Sequence, residues 1–311
     1  MNSRKEILAI KAAKLYYKDN KTQEEIANIL NISRSTVSRL LSWARNQGLV
    51  QITVAPLFTE ELAKLLHEKY GKQFIIVDLE GENETNVINV IGSAAAMYFI
   101  NNVNHEMTVG ITWGKTIAQM VEYVPSVPKR NVKIVQMVGC LGNPQRDVHA
   151  PSLVLQLARR VNAQAVLLPA PGIVADITIK NALLKEQIIQ DVFSLFSQID
   201  IAFVGIGSLS TNSLIIQDSL LSAQDIEHLY AKGAVGDIAL RFFNAAGVAI
   251  ETEVNAKVIG IDLERLKTIP TVVGVAGGMH KTQAIRGALR GDLIDVLITD
   301  ALTAEHLLEG G

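Results

Sequence analysis

The sequence has one cysteine, Cys140, and six histidines scattered over 311 residues. A single cysteine excludes an internal disulfide, and the His and Cys spacing forms no metal-ligand cluster, so we predict no metal. No run of 18 or more apolar residues occurs, so we predict no membrane span. Charged residues interrupt the first 17 residues and no small-residue cleavage site follows them, which is unlike a secretory signal. These absences predict a soluble, cytoplasmic protein.

Charge is unevenly distributed along the chain. Residues 1–52 contain nine Lys and Arg against four Asp and Glu, whereas the remainder contains 20 against 27. We therefore predict that only the N-terminal part meets a polyanion. The length is sufficient for two domains, which we place at 1–55 and 56–311.

The stretch TQEEIANILNISRSTVSRLLSWARNQGLV, residues 22–50, predicts two short helices joined by a tight turn. Thr22 and Glu25 have the spacing of a capping box, which begins the first helix. Ser33 or Ser35 caps the second helix, and Gly48 ends it. The apolar positions of the two helices are Ile26, Ile29, Leu30, Val37, Leu40, Leu41 and Ala44. A preceding helix packs under the pair through Leu8, Ala12, Leu15 and Tyr16.

This arrangement is a helix-turn-helix, in which the N-terminal residues of the second helix contact base edges in the major groove. Arg suits bidentate contact with guanine, and Ser donates to bases or phosphates. The predicted DNA-binding residues are Thr22, Gln23, Ser33, Arg34, Ser35, Thr36, Ser38 and Arg39. The competing interpretation is a helical hairpin whose polar face is merely solvated. Capping, turn, apolar spacing and basic outer face agree, and together they favour DNA binding.

The longer C-terminal part alternates short apolar strands with helical segments, which predicts an α/β domain with a mainly parallel sheet covered by helices. Helices are predicted at 60–71 and 151–161. The predicted strands are 74–77, 107–111, 132–138, 165–169, 201–205, 257–261, 271–276 and 295–299.

Three predicted strands end in glycine-rich turns, at 109–116, 204–210 and 275–285. Glycine lets the backbone come near a ligand, a following helix offers free N–H groups, and Lys281 adds a positive charge. Together these features favour a phosphorylated ligand, although each turn alone is better explained as a tight connection. Gly110 and Gly114 enclose three residues, where a Walker A motif needs four, so ATP hydrolysis is not predicted.

The sequence also resembles a known family. The segments that carry the resemblance are AAKLYYKDNKTQEEIANILNISRSTVSRLL (12–41), GITWGKT (110–116), AVGDIALRFFNAAG (234–247) and VAGGMHKTQAIRGALRGDLIDVLITD (275–300). They resemble the SorC/DeoR type of bacterial sugar-responsive transcriptional regulators over nearly the whole chain. The resemblance implies a body similar to sugar-phosphate isomerases and glucosamine-6-phosphate deaminases, and assembly into homodimers or homotetramers.

The resemblance also implies an effector site. It implies that the loop from Thr112 to Thr116, with Gly277, Gly278 and Lys281, holds a phosphate, and that Gly207, Ser208 and Asp237 lie near the sugar. The predicted effector-binding residues are Gly110, Thr112, Trp113, Gly114, Lys115, Thr116, Gly207, Ser208, Asp237, Gly277, Gly278 and Lys281.

These observations predict a repressor of a carbohydrate operon that binds double-stranded operator DNA under the control of a phosphorylated sugar. The alternative is a sugar-phosphate isomerase or deaminase that carries a DNA-binding head. Asp237 could transfer a proton, but no His stands beside it at a strand end. Segment 136–143 offers no Lys for a Schiff base, so we expect non-covalent binding, no catalysis and no cofactor. Cys140 is interpreted as a small packed residue.

Overall fold

The computed structural model describes residues 4–47, 49–50, 58–78, 84–140, 150–209 and 221–309. The chain forms two compact units, Met1–Val54 and Ala55–Gly311, which we call the head and the body. In the ranges just given, no helix is both long and apolar enough to cross a membrane.

The described part of the head consists of three helices, α1 (Arg4–Tyr17), α2 (Gln23–Leu30) and α3 (Arg34–Asn46). The predicted capping box is confirmed. The Glu25 N–H donates to Thr22 Oγ1 at 3.2 Å, and the Thr22 N–H donates to Glu25 Oε2 at 2.8 Å. The head core is small-residue rich and consists of Ala9, Ala12, Ala13, Ile26, Ala27, Val37, Leu40, Leu41 and Ala44.

Two residues predicted to face this core do not. Ile29 is 55% exposed and Tyr16 is 36% exposed, because Ile26, Ala27 and the partly buried Leu30 form the inward stripe of α2. On α1, Ala9 and Ala13 take the place expected for Tyr16. The predicted helix end at Gly48 lies outside the described residues.

The body is built on strands that follow one another through helices. Its strands are β1 (Gln73–Val77), β2 (Thr108–Ile111), β3 (Lys133–Gln136), β4 (Gln164–Val166), β5 (Ile201–Gly205), β6 (Gly207–Ser208), β7 (Ala234–Ile238), β8 (Arg241–Asn244), β9 (Thr271–Val275) and β10 (Val296–Asp300). Its helices are α4 (Glu60–Tyr70), α5 (Glu84–Asn102), α6 (Lys115–Tyr123), α7 (Ala150–Val161), α8 (Ile177–Leu183), α9 (Gln187–Leu195), α10 (Ala223–Ala231), α11 (Glu253–Lys257), α12 (Leu263–Lys267), α13 (Thr282–Arg290) and α14 (Ala301–Glu309).

Seven strands form one sheet in the order β1-β10-β9-β5-β2-β3-β4, and every pair in it is parallel. Both faces are covered, as expected for a parallel sheet. The adjacent residues Phe203 and Val204 of β5 are both fully buried, each in a different apolar cluster. The predicted α/β class and the mainly parallel sheet are confirmed.

The winding of this sheet reverses between β2 and β5. From β2 the chain proceeds outward to β3 and β4, and it then returns to β5, β9 and β10 on the other side of β2. In open α/β sheets, ligands bind outside the carboxyl ends of the strands at such a reversal. We therefore expect a ligand site at the loops after β2, β5 and β9.

Sequence reasoning missed a second, antiparallel sheet, β6-β7-β8. The turn between β7 and β8 consists of Ala239 and Leu240, whose φ values are 53° and 64°. Two-residue hairpins with positive φ at both positions are usually announced by Asn-Gly or Asp-Gly, and Ala-Leu gives no such signal.

One predicted strand, 257–261, is wrong. Lys257 ends α11, and the following residues make only single bridges, Val258 with Ile173 and Gly260 with Val138. The carbonyls of Val258, Gly260 and Ile261 accept hydrogen bonds from the Arg241 guanidinium instead of from a neighbouring strand. The other seven predicted strands are confirmed, with ends displaced by at most three residues.

Candidate functional site

The outer face of α3 carries the polar residues that the sequence assigns to DNA. Arg34, Ser35, Ser38 and Arg39 are exposed, whereas Val37, Leu40 and Leu41 are buried beneath them. Ser33 caps the helix, its Oγ accepting from the Thr36 N–H at 3.2 Å. Arg39 Nε donates to the Ser35 carbonyl at 3.3 Å, so the side chain lies along the helix as far as Nε.

A polar groove of about 650 Å³ extends this surface towards α1 and α2. It brings together three predicted DNA-binding residues, Thr22, Gln23 and Arg34. The sequence reasoning missed its other lining residues, although Lys21 stands directly before the Thr22 cap in a basic segment. The additional lining residues are Tyr16, Tyr17, Asn20, Lys21 and Glu24.

In the body, the predicted effector residues follow three adjacent strands. Thr112–Thr116 follow β2, Gly207 and Ser208 follow β5, and Gly277 and Gly278 follow β9. Since the three strands are parallel neighbours, their carboxyl ends meet at one edge of the sheet. We call this the effector edge; it contains the point where the winding reverses.

The loop after β2 is fixed to its neighbour and leads into a helix N-terminus. Thr112 is buried, and its Oγ1 accepts from the Gly205 N–H at 3.0 Å. Gly114 has φ 121°, a conformation that L side chains rarely adopt, and no side chain caps α6. The first hydrogen bond of α6 runs from the Ala118 N–H to the Gly114 carbonyl. The N–H groups of its first turn therefore have no acceptor within the helix and can receive an anion.

The loop after β9 is held by two residues that sequence reasoning missed. The Gly278 N–H donates to Asp300 Oδ2 and Thr303 Oγ1, each at 2.8 Å. Asp300 Oδ1 in turn accepts from the Thr303 N–H at 2.9 Å. The available signal was an acid directly after the predicted strand 295–299. The loop continues through a 3-10 turn, Met279–Lys281, and the partly exposed Lys281 immediately precedes α13.

Asp237 lies against this edge from the second sheet. It pairs with Gly207 across β6 and β7, and a Cβ on Gly207 would lie 2.0 Å from Asp237 Oδ1. Burial raises the pKa of Asp237 to about 6, while the Leu240 N–H at 3.1 Å and the Lys281 charge oppose the rise.

Charges from three elements meet at the edge. Burial lowers the pKa of Lys281; the Asp237 carboxylate opposes this shift, and Lys115 adds to it. Two cations and one carboxylate therefore interact across the strand ends. The first turn of α6 carries Lys115, β7 carries Asp237, and the loop after β9 carries Lys281.

Two predicted effector residues lie deeper than the prediction assumed. Gly110 is inside β2, and a Cβ there would lie 2.3 Å from Met137 Sδ, so this glycine permits close packing. Trp113 is buried in the apolar core. Ser208 and Thr116 are also buried, at the edge itself. Cys140 is exposed, so its interpretation as a packed residue is wrong.

The described part of the chain contains no candidate metal site. No group of three or more His, Cys, Asp or Glu side chains there is arranged to hold an ion.

Comparison with known proteins assigns both units. The Sugar-bind family, described as a sugar-binding domain, matches residues 55–309, and Sigma-70 region 4 matches residues 14–47. The chain belongs to the Sugar-bind family.

Similar proteins of this family are named as regulators. The deoxyribonucleoside regulator of Bacillus subtilis (strain 168) is 31% identical over 99% of both chains. The sorbitol operon regulator of Klebsiella pneumoniae is 30% identical over 97% of this chain and 98% of its own. The crystal structure of full-length SorC from Klebsiella pneumoniae has a TM-score of 0.77 at 29% identity, covering 99% of this chain and 100% of that one.

The Sugar-bind match and the likeness to SorC confirm the predicted resemblance to SorC-type regulators. The Sigma-70 region 4 match and the SorC structure confirm the helix-turn-helix head. The relatives compared are named as transcriptional regulators and not as enzymes. The protein is therefore a transcriptional regulator with a sugar-binding domain, and the isomerase or deaminase alternative is not supported.

Proposed function

We propose that the protein represses a carbohydrate operon, and that a phosphorylated sugar bound non-covalently at the effector edge controls its affinity for operator DNA. The observation that carries the proposal is the placement of two cations at the reversal of the sheet: Lys115 lies at the uncapped start of α6 after β2, and Lys281 lies in the loop after β9. Two cations and free N–H groups favour a phosphate over a neutral hydroxyl.

Asp237 distinguishes a sugar phosphate from inorganic phosphate in this proposal. A carboxylate beside a phosphate would repel it, but it is a good acceptor for a sugar hydroxyl. Raised by burial, the pKa of Asp237 also permits the neutral acid, which accepts and donates. The phosphate therefore lies towards Lys115 and Lys281, and the hydroxylated carbons lie towards Asp237 and Gly207.

In the head, the exposed start of α3 would enter the major groove, with the polar groove at Thr22, Gln23 and Lys21 against the phosphate backbone. A single helix-turn-helix reads few base pairs, so we propose that the body pairs copies into a homodimer or homotetramer. Half-sites would then lie about 34 Å apart, or a multiple of that distance. Effector binding would act on DNA affinity with a coupling of about 1–3 kcal/mol.

A thermal-shift panel with matched pairs tests the effector. Deoxyribose 5-phosphate and sorbitol 6-phosphate, chosen from the names of the relatives, would each be compared with the unphosphorylated sugar and with inorganic phosphate. The expected result is a rise in Tm with one sugar phosphate that neither control reproduces. Fluorescence anisotropy on DNA from upstream of the gene then gives the sense of control. Equal shifts by the sugar and its phosphate would reject the phosphate requirement.

A further inference from the structure

A second cleft in the body lies among residues that contribute nothing to the effector edge. It has a volume of about 500 Å³, between helices α8 and α9 on one side and Val258–Arg265 on the other. This size is within the range of about 300–1,000 Å³ that is typical of small-molecule sites. None of the predicted effector residues lines it.

Arg241 lies in the cleft with its guanidinium fixed in place. Its Nη1 donates to the Asn255 carbonyl at 2.7 Å, and its Nε donates to the Ile261 carbonyl at 3.2 Å. Further bonds from Nη2 reach the carbonyls of Val258 and Gly260, at 3.4 and 3.2 Å. Carbonyl dipoles orient the cation but leave its full charge, and a ligand would lose little side-chain entropy by using it.

Lys180 brings a second cation to the same cleft. Its Nζ donates to the Ala256 carbonyl at 2.6 Å. Burial lowers the pKa of Lys180, the charge of Arg241 lowers it further, and Asp262 opposes both. In the described part of the chain, neither Lys180 nor Arg241 has a carboxylate within 4 Å. Two cations that repel each other in a partly buried cleft are stabilised by an anion.

The remaining walls indicate what kind of anion fits. Arg265 stands at the rim with a side chain 55% exposed, and its only described ion pair is a long one to Asp262, 3.8 Å from Nε to Oδ2. The cleft thus holds three cations and one carboxylate. Its other walls are partly apolar, with Leu184, Ile189, Phe193 and Val258, and partly polar, with Gln190 and Ser194.

We infer that this cleft is a second ligand site, which binds a small organic dianion, a phosphomonoester or dicarboxylate, whose apolar part packs on Phe193 and Val258. Its cationic end lies at Lys180, Arg241 and Arg265. The inference is independent of the proposed effector, because the two sites share no residue.

Phenyl phosphate is a suitable probe, and isothermal titration of the full-length Lys281→Ala protein reduces the contribution of the effector edge, where the substitution should weaken phosphate binding by roughly ten- to a hundredfold. In that background, Lys180→Gln and Arg265→Gln should each weaken binding about tenfold, the loss expected for one charge-assisted hydrogen bond. Lys267→Gln is the matched control, since Lys267 lies on the same helix as Arg265, α12, but does not line the cleft. Benzyl alcohol, a neutral aromatic compound without the phosphate, should bind at least about tenfold more weakly.

Four outcomes would overturn the inference. The site is absent if the Lys281→Ala protein does not bind phenyl phosphate, and charge alone is responsible if Lys267→Gln weakens binding as much as Lys180→Gln. Benzyl alcohol binding as well as phenyl phosphate would make the cleft an apolar site. If circular dichroism shows that Lys180→Gln lowers the Tm, the exposed Arg265 variant carries the test. A change of oligomeric state in Arg265→Gln, with unchanged probe binding, would assign the cleft to a second copy of the chain.

Discussion

The Asp237 carboxylate and the Lys281 ammonium group, on different elements of the body, each favour the charged form of the other. Burial acts against both charges and is the larger effect for each. The attraction between the two groups therefore does not fully offset the cost of burying their charges. A ligand that contacts these partly desolvated groups can offset the rest of that cost.

Asp237 should make stability depend on pH in a specific direction. Its folded-state pKa of about 6 lies above the unfolded value, so the folded chain binds the extra proton and loses stability as pH rises from about 4 to about 6. Asp237→Asn keeps an acceptor for the Leu240 N–H and removes this dependence. The variant should therefore gain in Tm relative to wild type as the pH rises from about 4 to about 6. Circular dichroism melts across that range check it, and a constant difference between the two proteins would contradict it.

Thr303 should act on the ligand through Gly278. Thr303→Val keeps the shape of the side chain but removes the hydroxyl, which accepts from the Gly278 N–H and donates to Asp300 Oδ2 at 2.7 Å. Both hydrogen bonds of the hydroxyl are lost, while Gly278 keeps Asp300 as an acceptor; the looser loop after β9 should weaken sugar-phosphate binding about fivefold, or about 1 kcal/mol. Thr303→Ser, which keeps the hydroxyl, is the control and should bind as wild type does. Titration calorimetry gives the comparison, and equal affinities for the two variants would remove the positioning role.

The head could be predicted nearly residue by residue because its signals are local. Thr22, Glu25 and Ser33 cap helices within three positions of their partners, and Val37, Leu40 and Leu41 reveal their face by spacing alone. The strand ends that form the effector edge could also be predicted from the sequence, because glycine-rich turns follow them.

What could not be predicted depends on contacts between distant parts of the chain. Asp300 reaches back 22 positions to Gly278, and its sequence context is only that of an acid after a strand. Segment 257–261 has the composition of a strand, yet three of its carbonyls accept hydrogen bonds from the Arg241 guanidinium. The residues Ala239-Leu240 do not predict a hairpin, because neither residue type favours the positive φ that both adopt here.

Arg39 should determine DNA affinity in one of two measurable ways. If it contacts a base, Arg39→Ala should weaken binding to the specific operator by about 1–3 kcal/mol and relax preference at one position. If it contacts a phosphate, binding to all sequences should weaken and the salt slope should flatten by about one. Arg159→Ala, an exposed arginine of the body, is the matched control. Anisotropy titrations in which Arg34→Ala and Arg39→Ala both bind as wild type does would reject α3 as the reading helix.

Lys281 should matter to the ligand and not to DNA. It is partly exposed, it directly precedes α13, and it shares the effector edge with Lys115 and the first turn of α6. A phosphate there gains charge-assisted hydrogen bonds of about 1.5–3 kcal/mol each. Lys281→Ala should therefore weaken sugar-phosphate binding by roughly ten- to a hundredfold. Lys281→Arg should not restore it, since a planar fork is longer and needs a different geometry from a point charge.

Operator affinity separates a ligand role of Lys281 from general damage to the protein. Without effector, Lys281→Ala should bind the operator as tightly as wild type, because the residue belongs to the body and not to the head. Lys232→Ala, which removes an exposed lysine from the end of α10, should change neither affinity. Calorimetry for the sugar phosphate and anisotropy for DNA should be run on the same preparations. Were Lys281→Ala to bind the effector as wild type does, the phosphate would have to lie at Lys115 and the start of α6 alone.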